Sequence, residues 1–320
     1  MTEPDVISVQ GVTKRYAGHT AVSDLSLTIP KGTIYGLLGP NGAGKTTTIR
    51  MIMDIIIPDE GSVTLFNAAG TGRDFSSRIG YLPEERGLYK KMKLVDLLVF
   101  LAEIKGLARS LAKTEAIRWL GKLGLGDWQN KKVDDLSKGM QQKVQFISTV
   151  LHGPDLLILD EPFSGFDPVN TQLMKNVVVD LNNAGTTVLF STHIMEQAEK
   201  LCQSVCIIAR GKKVVDGTLS EVKGGHGGRH VIIGVADGLS SLERLFADRT
   251  MVKASDSYGQ YAELELTESA DPQRLLQSLV QSGVTVTRFE IADPTLNKIF
   301  IDLVGADATV PEATGDDHHG

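Results

Sequence analysis

GPNGAGKTT, at residues 39–47, is the stretch that decides the fold of this chain. A chain of phosphates carries several negative charges, so a site for it needs converging N–H donors, a mobile cation and an anchor for a metal ion. Glycines let successive amides turn inward, and a helix that follows adds the positive end of its dipole. Residues 34–38 have the pattern of a buried strand and residues 46–54 that of a helix. The stretch therefore predicts a site for a nucleoside triphosphate.

The residue types in this loop divide the phosphate contacts among them. We expect Lys45 to reach the β- and γ-phosphates, the Thr46 hydroxyl to ligate Mg²⁺, and Thr47 to contact the α-phosphate. A flexible glycine turn is the alternative, and the strand and helix on either side of the loop disfavour it. The predicted nucleotide-binding residues of the loop are Gly39, Pro40, Asn41, Gly42, Ala43, Gly44, Lys45, Thr46 and Thr47.

The composition is consistent with a cytosolic enzyme of about two domains. The chain has 320 residues, of which 42% are hydrophobic, so it can bury a substantial core. Its net charge of -6 argues against a general nucleic-acid binder. No apolar stretch reaches the ~18 residues that a membrane-spanning helix needs, so another chain must cross the membrane if one is involved.

The pattern of apolar residues predicts an α/β domain over residues 1–222. Residues 6–10 and 25–29 alternate in the manner of antiparallel strands. Residues 94–124 switch to helical spacing, which predicts a helical insertion at about residues 86–150. Strands and helices then alternate up to residue 209, which is typical of a mainly parallel sheet.

A second, smaller α+β domain is predicted after a glycine-rich break. KGGHGGR at residues 223–229 has the composition of a linker. Within residues 230–305, the order up to residue 291 is strand, helix, strand, strand, helix, strand, which suits a ferredoxin-like module. Residues 294–304 have the pattern of one more amphipathic helix. Residues 306–320 have the composition of a disordered acidic tail.

Six separate elements, taken in their order along the chain, resemble the ATPase subunit of an ABC transporter over about residues 6–217. A P-loop NTPase fold with N-terminal antiparallel strands is what this resemblance implies. The elements are Tyr16 in KRYAGHTAV, the phosphate loop at residues 39–46, the signature LSKGMQQ at residues 136–142, LLILDE at residues 156–161, SGFD at residues 164–167, and His193 in STHIMEQAE.

The resemblance assigns roles to these elements, and it implies that the loop at residues 164–167 lies at the seam between two protomers. Tyr16 matches the aromatic residue that stacks on adenine, and His193 matches a residue that hydrogen-bonds the γ-phosphate. Ser137 and Gly139 match the signature residues that touch the γ-phosphate of nucleotide held by the opposite protomer. Two copies, or this chain and a close relative, are therefore expected to form a head-to-tail homodimer or heterodimer.

The chemistry expected of the acidic pair follows from its place at a strand end. Residues 156–159 form an apolar strand that delivers Asp160 to the metal. Glu161 comes next, so alternation along a strand turns its side chain the other way, toward an attacking water that it can deprotonate. An ordinary acidic strand end is the alternative for this pair, and the apolar strand and Pro162 disfavour it. With Lys45, the predicted catalytic residues are Glu161 and His193.

Two motifs depart from the family pattern. LSKGM stands where LSGGQ is usual, but Ser137 and Gly139 are kept. GYLPEERGLY places Glu84 where most relatives have a glutamine that helps hold Mg²⁺. A carboxylate can ligate Mg²⁺ as readily as an amide oxygen, so the predicted metal ligands are Thr46, Asp160 and Glu84.

The resemblance implies an ATP-hydrolysing subunit, with ATP and Mg²⁺ as cofactors, at the cytoplasmic face of the cell membrane. It implies a separate transmembrane permease subunit, docked near residues 86–94, and export of sodium ion or of a drug or antibiotic. A soluble ABC-type ATPase acting on ribosomes or DNA is the alternative. Those proteins usually join two nucleotide domains or insert a long coiled coil, and neither is seen in this sequence. A small-molecule kinase would leave the signature and His193 unexplained.

Overall fold

A computed structural model describes residues 5–68, 70–84, 87–225, 229–267 and 269–305. These residues divide into two compact units, the second of which is Ser220–Leu303. The segment predicted as a disordered tail, 306–320, and residues 226–228 of the predicted linker lie outside the described residues.

The strands of the described residues fall into three sheets. They are β1 (Asp5–Tyr16), β2 (His19–Pro30), β3 (Ile34–Leu38), β4 (Glu60–Leu65), β5 (Ile79–Leu82), β6 (Leu156–Asp160), β7 (Thr187–Thr192), β8 (Ser204–Ala209), β9 (Lys212–Thr218), β10 (Arg229–Val235), β11 (Val252–Ser257), β12 (Tyr261–Leu266) and β13 (Val286–Ala292).

The α-helices come between and after these strands. They are α1 (Lys45–Ile52), α2 (Leu94–Ile104), α3 (Arg109–Lys122), α4 (Lys138–Val150), α5 (Pro168–Asn183), α6 (Met195–Glu199), α7 (Leu219–Gly225), α8 (Glu243–Ala247), α9 (Pro272–Gln281) and α10 (Leu296–Val304). Short 3₁₀ helices occupy Ser76–Arg78, Gly126–Trp128, Val133–Asp135 and Leu239–Leu242.

The central sheet of the first unit has the order β5-β6-β7-β3-β8-β9. Its first five strands are parallel, and β9 joins β8 in the antiparallel direction, so the predicted mainly parallel sheet is confirmed. Every residue of β3, β6 and β7 is buried, as expected for strands covered on both faces. Their carboxyl ends lie side by side, because Leu38 pairs with Thr192 and Asp160 pairs with Ser191. This edge carries the site.

The N-terminal sheet has the order β2-β1-β4 and is antiparallel, as predicted. Its first two strands are much longer than the predicted segments 6–10 and 25–29. Register shifts along the pair, such as those between Val9 and Val12, interrupt the alternation of apolar residues. The sequence pattern therefore revealed only the regular parts of these strands.

The predicted helical segment contains α2 and α3, which pack on each other, followed by α4. Leu94, Leu97 and Leu98 of α2 are fully buried. Lys105 caps the end of α2, and its Nζ donates hydrogen bonds to Ser76 O at 2.7 Å and Ile79 O at 3.1 Å. These bonds tie α2 to the start of β5. Among the described helices, none has the length and apolar character needed to cross a membrane.

The second unit has the predicted order of strand, helix, strand, strand, helix and strand. Its antiparallel sheet has the order β11-β12-β10-β13. Numbered within the unit this is second, third, first and fourth, which is the ferredoxin-like arrangement. The first helix predicted in this unit is a 3₁₀ turn, Leu239–Leu242, followed by the short α8. The helix α7, which precedes the unit's first strand, extends to Gly225 and so includes the first three residues of the predicted linker. The two glycines at its end are compatible with this, because glycine is tolerated where a helix ends.

Candidate functional site

A cavity of about 520 Å³ lies beyond the carboxyl end of β3. Its wall combines the first hairpin, the glycine-rich loop, α1, and the segments that follow β5 and β6. A volume of this size is typical of small-molecule sites. The cavity is lined by Tyr16, His19, Ala21, Asn41, Gly42, Ala43, Gly44, Lys45, Thr46, Thr47, Arg50, Glu84 and Glu161.

The glycine-rich loop turns directly into α1. Gly44 is the N-cap of this helix with φ +107, and a Cβ added there would lie 2.5 Å from Ala21 O. Both the backbone conformation and the space therefore require glycine. The first turn of α1 contains no acidic residue, so the positive end of its dipole is free to attract an anion.

Lys45 is buried at the base of the cavity, with 6% of its surface exposed. Its Nζ donates hydrogen bonds to Gly39 O at 2.8 Å and Pro40 O at 3.1 Å. It also lies 3.8 Å from Glu161 Oε1. Burial lowers the pKa of Lys45, and the negative charges of nearby carboxylates oppose that shift. The loop carbonyls thus hold the ammonium group at the position where phosphate charge is expected.

Thr46 and Asp160 meet beside the lysine. Thr46 Oγ1 donates a hydrogen bond of 2.8 Å to Asp160 Oδ2. Asp160 is fully buried, and burial raises its pKa, although the bond from Thr46 opposes the rise. Its other oxygen, Oδ1, is also buried and has no hydrogen-bond partner within the described ranges. An unsatisfied buried carboxylate oxygen next to a hydroxyl fits a hard cation that takes oxygen ligands.

Glu161 is 8% exposed and lies directly after β6. Its Oε1 accepts a hydrogen bond from the His193 main-chain N at 2.9 Å and lies 2.8 Å from His193 Nδ1. Thr192 Oγ1 donates to its Oε2 at 3.3 Å. The backbone of Glu161 has φ +47, so a left-handed residue, rather than alternation along a strand, sets the direction of this side chain. His193 thus lies against Glu161.

Tyr16 also lines the cavity, with 43% of its surface exposed. Its ring is stacked on that of His19, which also lines the cavity. The resemblance had drawn attention to Tyr16 alone. His19 is only three residues away, and the hairpin turn between the two was visible in the sequence, so this partner could have been found.

Two charged groups of opposite sign also line the cavity. Glu84 follows β5, is exposed, and its charge raises the pKa of Lys45 against the effect of burial. Arg50 lies one turn after Thr46 on α1, and sequence reasoning missed it. Its position could have been inferred from its spacing, because Arg50 lies four residues after Thr46 and residues four apart share a helix face.

Two known protein families match this chain, one in each part of it. Residues 22–164 match the ABC transporter family, and residues 217–304 match the family "ATP-binding protein DrrA1-3-like, C-terminal domain". The chain is 44% identical to the uncharacterized ABC transporter ATP-binding protein YhaQ of Bacillus subtilis (strain 168), covering 94% of this chain and 99% of that protein. The chain belongs to the ABC transporter ATP-binding proteins.

Further relatives agree with this assignment. The chain is 30% identical to the daunorubicin/doxorubicin resistance ATP-binding protein DrrA of Streptomyces peucetius, over 95% of this chain and 94% of that protein. A solved structure described as the ATP binding subunit of an ABC transporter covers 69% of this chain and 92% of its own, with 28% identity and a TM-score of 0.64. This ABC subunit is accordingly an ATPase with the P-loop NTPase fold.

ABC ATP-binding subunits dimerise and act with transmembrane permease partners. The signature of this subunit stands apart from its own cavity. Ser137 is the N-cap of α4, where its Oγ accepts a hydrogen bond from Met140 N at 3.3 Å. Among the described residues, neither Ser137 nor Gly139 lines the cavity. Asp160 and His193 do not line it either, but each is hydrogen-bonded to a residue that does, Asp160 to Thr46 and His193 to Glu161. Ser137 is exposed, so the N-terminus of α4 is accessible to a second molecule.

Proposed function

We propose that this ABC subunit powers the export of an amphipathic, drug-like or antibiotic-like compound through a separate transmembrane permease. The C-terminal domain carries the proposal, because residues 217–304 match the C-terminal domain family named after DrrA1-3-like ATP-binding proteins. A relative named for daunorubicin and doxorubicin resistance also aligns with both domains. Between the two cargoes expected from the sequence, these matches favour the drug-like compound over sodium ion.

Binding of the triphosphate would rest on the loop and the buried pair beside it. Lys45 and the N–H groups at the start of α1 would contact the phosphates, and the ring of Tyr16 would contact adenine. Thr46 and Asp160 would hold Mg²⁺, with Glu84 beside them, which the buried, unpartnered Asp160 Oδ1 supports. When bound, Mg²⁺ would neutralise negative charge on the phosphates.

Hydrolysis would depend on Glu161 as the general base. The carboxylate would take a proton from water as the water oxygen bonds to the γ-phosphorus, while the bond from that phosphorus to the β–γ bridging oxygen breaks and ADP leaves. The main-chain N–H and the ring of His193 hold Oε1 from one side, which supports a role for His193 in orienting the base. Lys45 Nζ lies 3.8 Å from the same oxygen, so the base would stand beside the cation that contacts the phosphates.

The second protomer would complete each site. Ser137 and Gly139 at the N-terminus of α4 would contact the γ-phosphate that the loop of a second copy holds. Gln142 Nε2 of the same helix donates to Ser164 O at 3.0 Å, so α4 is attached to the loop at residues 164–167 that is expected at the dimer seam. We propose a head-to-tail dimer with either an identical chain or a close relative.

The permease would dock at residues 86–94, on the cytoplasmic side of the membrane; residue 86 lies outside the described residues. Tyr89 is 61% exposed and packs edge-to-face on Phe100 of α2, which is itself 41% exposed. An exposed aromatic pair beside Lys90 and Lys91 supports an interface with a partner that has apolar and acidic groups.

Transport in membrane vesicles that contain the permease tests this proposal. We expect ATP-dependent accumulation of a fluorescent amphipathic drug in inverted vesicles, and its loss with Lys45→Ala. Lys113→Ala, an exposed change on α3, is the matched control and keeps transport. Accumulation of sodium ion without drug would contradict the proposed cargo, and accumulation of neither would contradict export.

The docking surface has its own test in the same vesicles. Lys90→Glu with Lys91→Glu should abolish transport while basal ATPase activity of the isolated subunit stays within about twofold, because both side chains lie outside the lining of the ATP cavity. Transport that survives both charge reversals would place the docking surface elsewhere.

A further inference from the structure

Tyr16 and His19 face each other at the closed end of the first hairpin. They are register partners in β1 and β2, and Ala17 and Gly18 join them. Gly18 has φ +91, the left-handed conformation that the third position of a type II turn requires. Residues directly opposite in an antiparallel pair project to the same face of the sheet. The two rings are therefore adjacent, with centroids 5.9 Å apart and planes inclined by 23°.

The strand end that carries Tyr16 is fixed to the segment that follows α1. Asp59 accepts hydrogen bonds from the Arg15 main-chain N at 2.6 Å and from Lys14 Nζ at 2.8 Å. Lys14 Nζ also donates to Ile57 O at 2.9 Å and lies 5.9 Å from the centroid of the Tyr16 ring. Because α1 begins at the phosphate loop, these contacts hold the ring at a set distance from that loop.

Both rings lie on the wall of the cavity that also contains Lys45 and Thr46. Tyr16 is 43% exposed and His19 is exposed as well. Rings that stack on each other and still expose aromatic surface offer a platform for another planar aromatic group. A nucleobase has such a surface, and its triphosphate can extend toward the loop.

We propose that His19 is a second base-binding residue, whose ring fixes the orientation of Tyr16 and extends the aromatic surface against which the nucleobase stacks. This inference rests on the proposed mode of ATP binding and goes beyond it, because the resemblance gives the base contact to Tyr16 alone. The contacts to phosphate come from the loop. Removal of the His19 ring therefore weakens only ligands that carry a base.

Calorimetric titration of the full chain with two probes, ATP and inorganic tripolyphosphate, tests this inference in the presence of Mg²⁺. We expect His19→Ala to weaken ATP binding about fivefold to twentyfold and to leave tripolyphosphate binding within about twofold. His19→Phe keeps an aromatic ring and is expected to hold ATP affinity within about threefold of the wild type.

Thr20→Ala is the matched control. Thr20 is the next residue of β2 and is exposed, alternation turns its side chain to the other face, and it is absent from the lining of the cavity within the described residues. Its ATP affinity should equal that of the wild type. A drop equal to that of His19→Ala would show general damage to the hairpin and overturn the inference.

Three further results would each overturn it. One is unchanged ATP affinity in His19→Ala. Another is an equal loss of ATP and tripolyphosphate binding, which would locate the damage in the loop. The third is a His19→Phe variant as weak as His19→Ala, since aromatic surface would then not be what His19 contributes. A wild-type chain that binds neither probe would overturn the proposed function, and this inference with it.

Discussion

Glu161 and His193 are joined at a single oxygen. Glu161 Oε1 lies 2.9 Å from the main-chain N of His193 and 2.8 Å from its Nδ1, although the two residues are on different strand ends. The neighbouring positions of β6 and β7 in the sheet bring them together. The carboxylate is thus held by a neighbour before any substrate contact is made.

Glu161→Gln is expected to separate binding from hydrolysis. The amide keeps the shape of the side chain but cannot accept a proton, so ATP hydrolysis should slow by roughly 10² to 10⁴ while ATP affinity stays within about threefold. Single-turnover hydrolysis and equilibrium binding measure the two effects. Glu115→Gln, a change at a partly exposed residue of α3 outside the lining of the cavity, is the control. Equal losses of binding and turnover would contradict the role of general base.

Asp160→Asn should change the requirement for Mg²⁺. The amide can still accept the hydrogen bond from Thr46, but it removes the negative charge that a divalent cation needs. We expect the Mg²⁺ concentration for half-maximal ATPase activity to rise at least about tenfold, with Asp134→Asn as an exposed control. An unchanged Mg²⁺ requirement would mean that Asp160 does not hold the metal.

Glu84→Gln is expected to keep substantial ATPase activity. An amide oxygen can replace the carboxylate as a neutral ligand, and one fewer negative charge then faces the phosphates. Turnover should remain within about threefold of the wild type, whereas Lys45→Ala should remove most of the activity. A loss in Glu84→Gln as severe as that in Lys45→Ala would show a further role for the carboxylate.

The free energy of unfolding is expected to depend on pH through the side chain of His152. Burial, aided by the nearby charge of Lys105, lowers its pKa from 6.5 to about 4. The unfolded chain then binds a proton between pH 6.5 and 4 that the folded chain does not, so stability present above pH 6.5 is lost as pH falls toward 4. The loss should be roughly 1 to 3 kcal/mol, reduced by the partial exposure of the ring.

His152→Asn should remove this part of the pH dependence. Urea unfolding between pH 4 and 7 can follow the first unit alone, because the two tryptophans of the chain, Trp119 and Trp128, both belong to it. The variant should show a flatter curve than the wild type across this range. An identical slope in the two proteins would mean that other groups account for the loss.

The sequence predicted the edge of the sheet that carries the chemistry. Parallel strands bring their carboxyl ends to one edge, so the phosphate loop and Asp160 could be expected side by side. The direction of the Glu161 side chain could not be predicted, because strand alternation gave no reason to expect its φ of +47. The place of Arg50 in the lining, by contrast, was predictable in principle, because Arg50 lies four residues after Thr46 on α1.

Some strands lacked a readable pattern. Lys212–Thr218, the edge strand β9, has partly or fully exposed residues throughout, so it shows no apolar alternation. Glu60–Leu65 buries only its last residue. Pairing with neighbours, rather than their own composition, makes these segments strands. Ile34–Leu38 was predictable because every residue of this strand is buried, and the phosphate loop was predictable from its glycines, lysine and threonines.

The bonds from Lys105 to Ser76 O and Ile79 O make α2 and the start of β5 a single mechanical unit. Glu84 stands two residues beyond the end of β5 and lines the ATP cavity, so one short strand connects α2 to the cavity wall. A displacement of α2 would therefore have to carry β5 with it or break the two hydrogen bonds from Lys105.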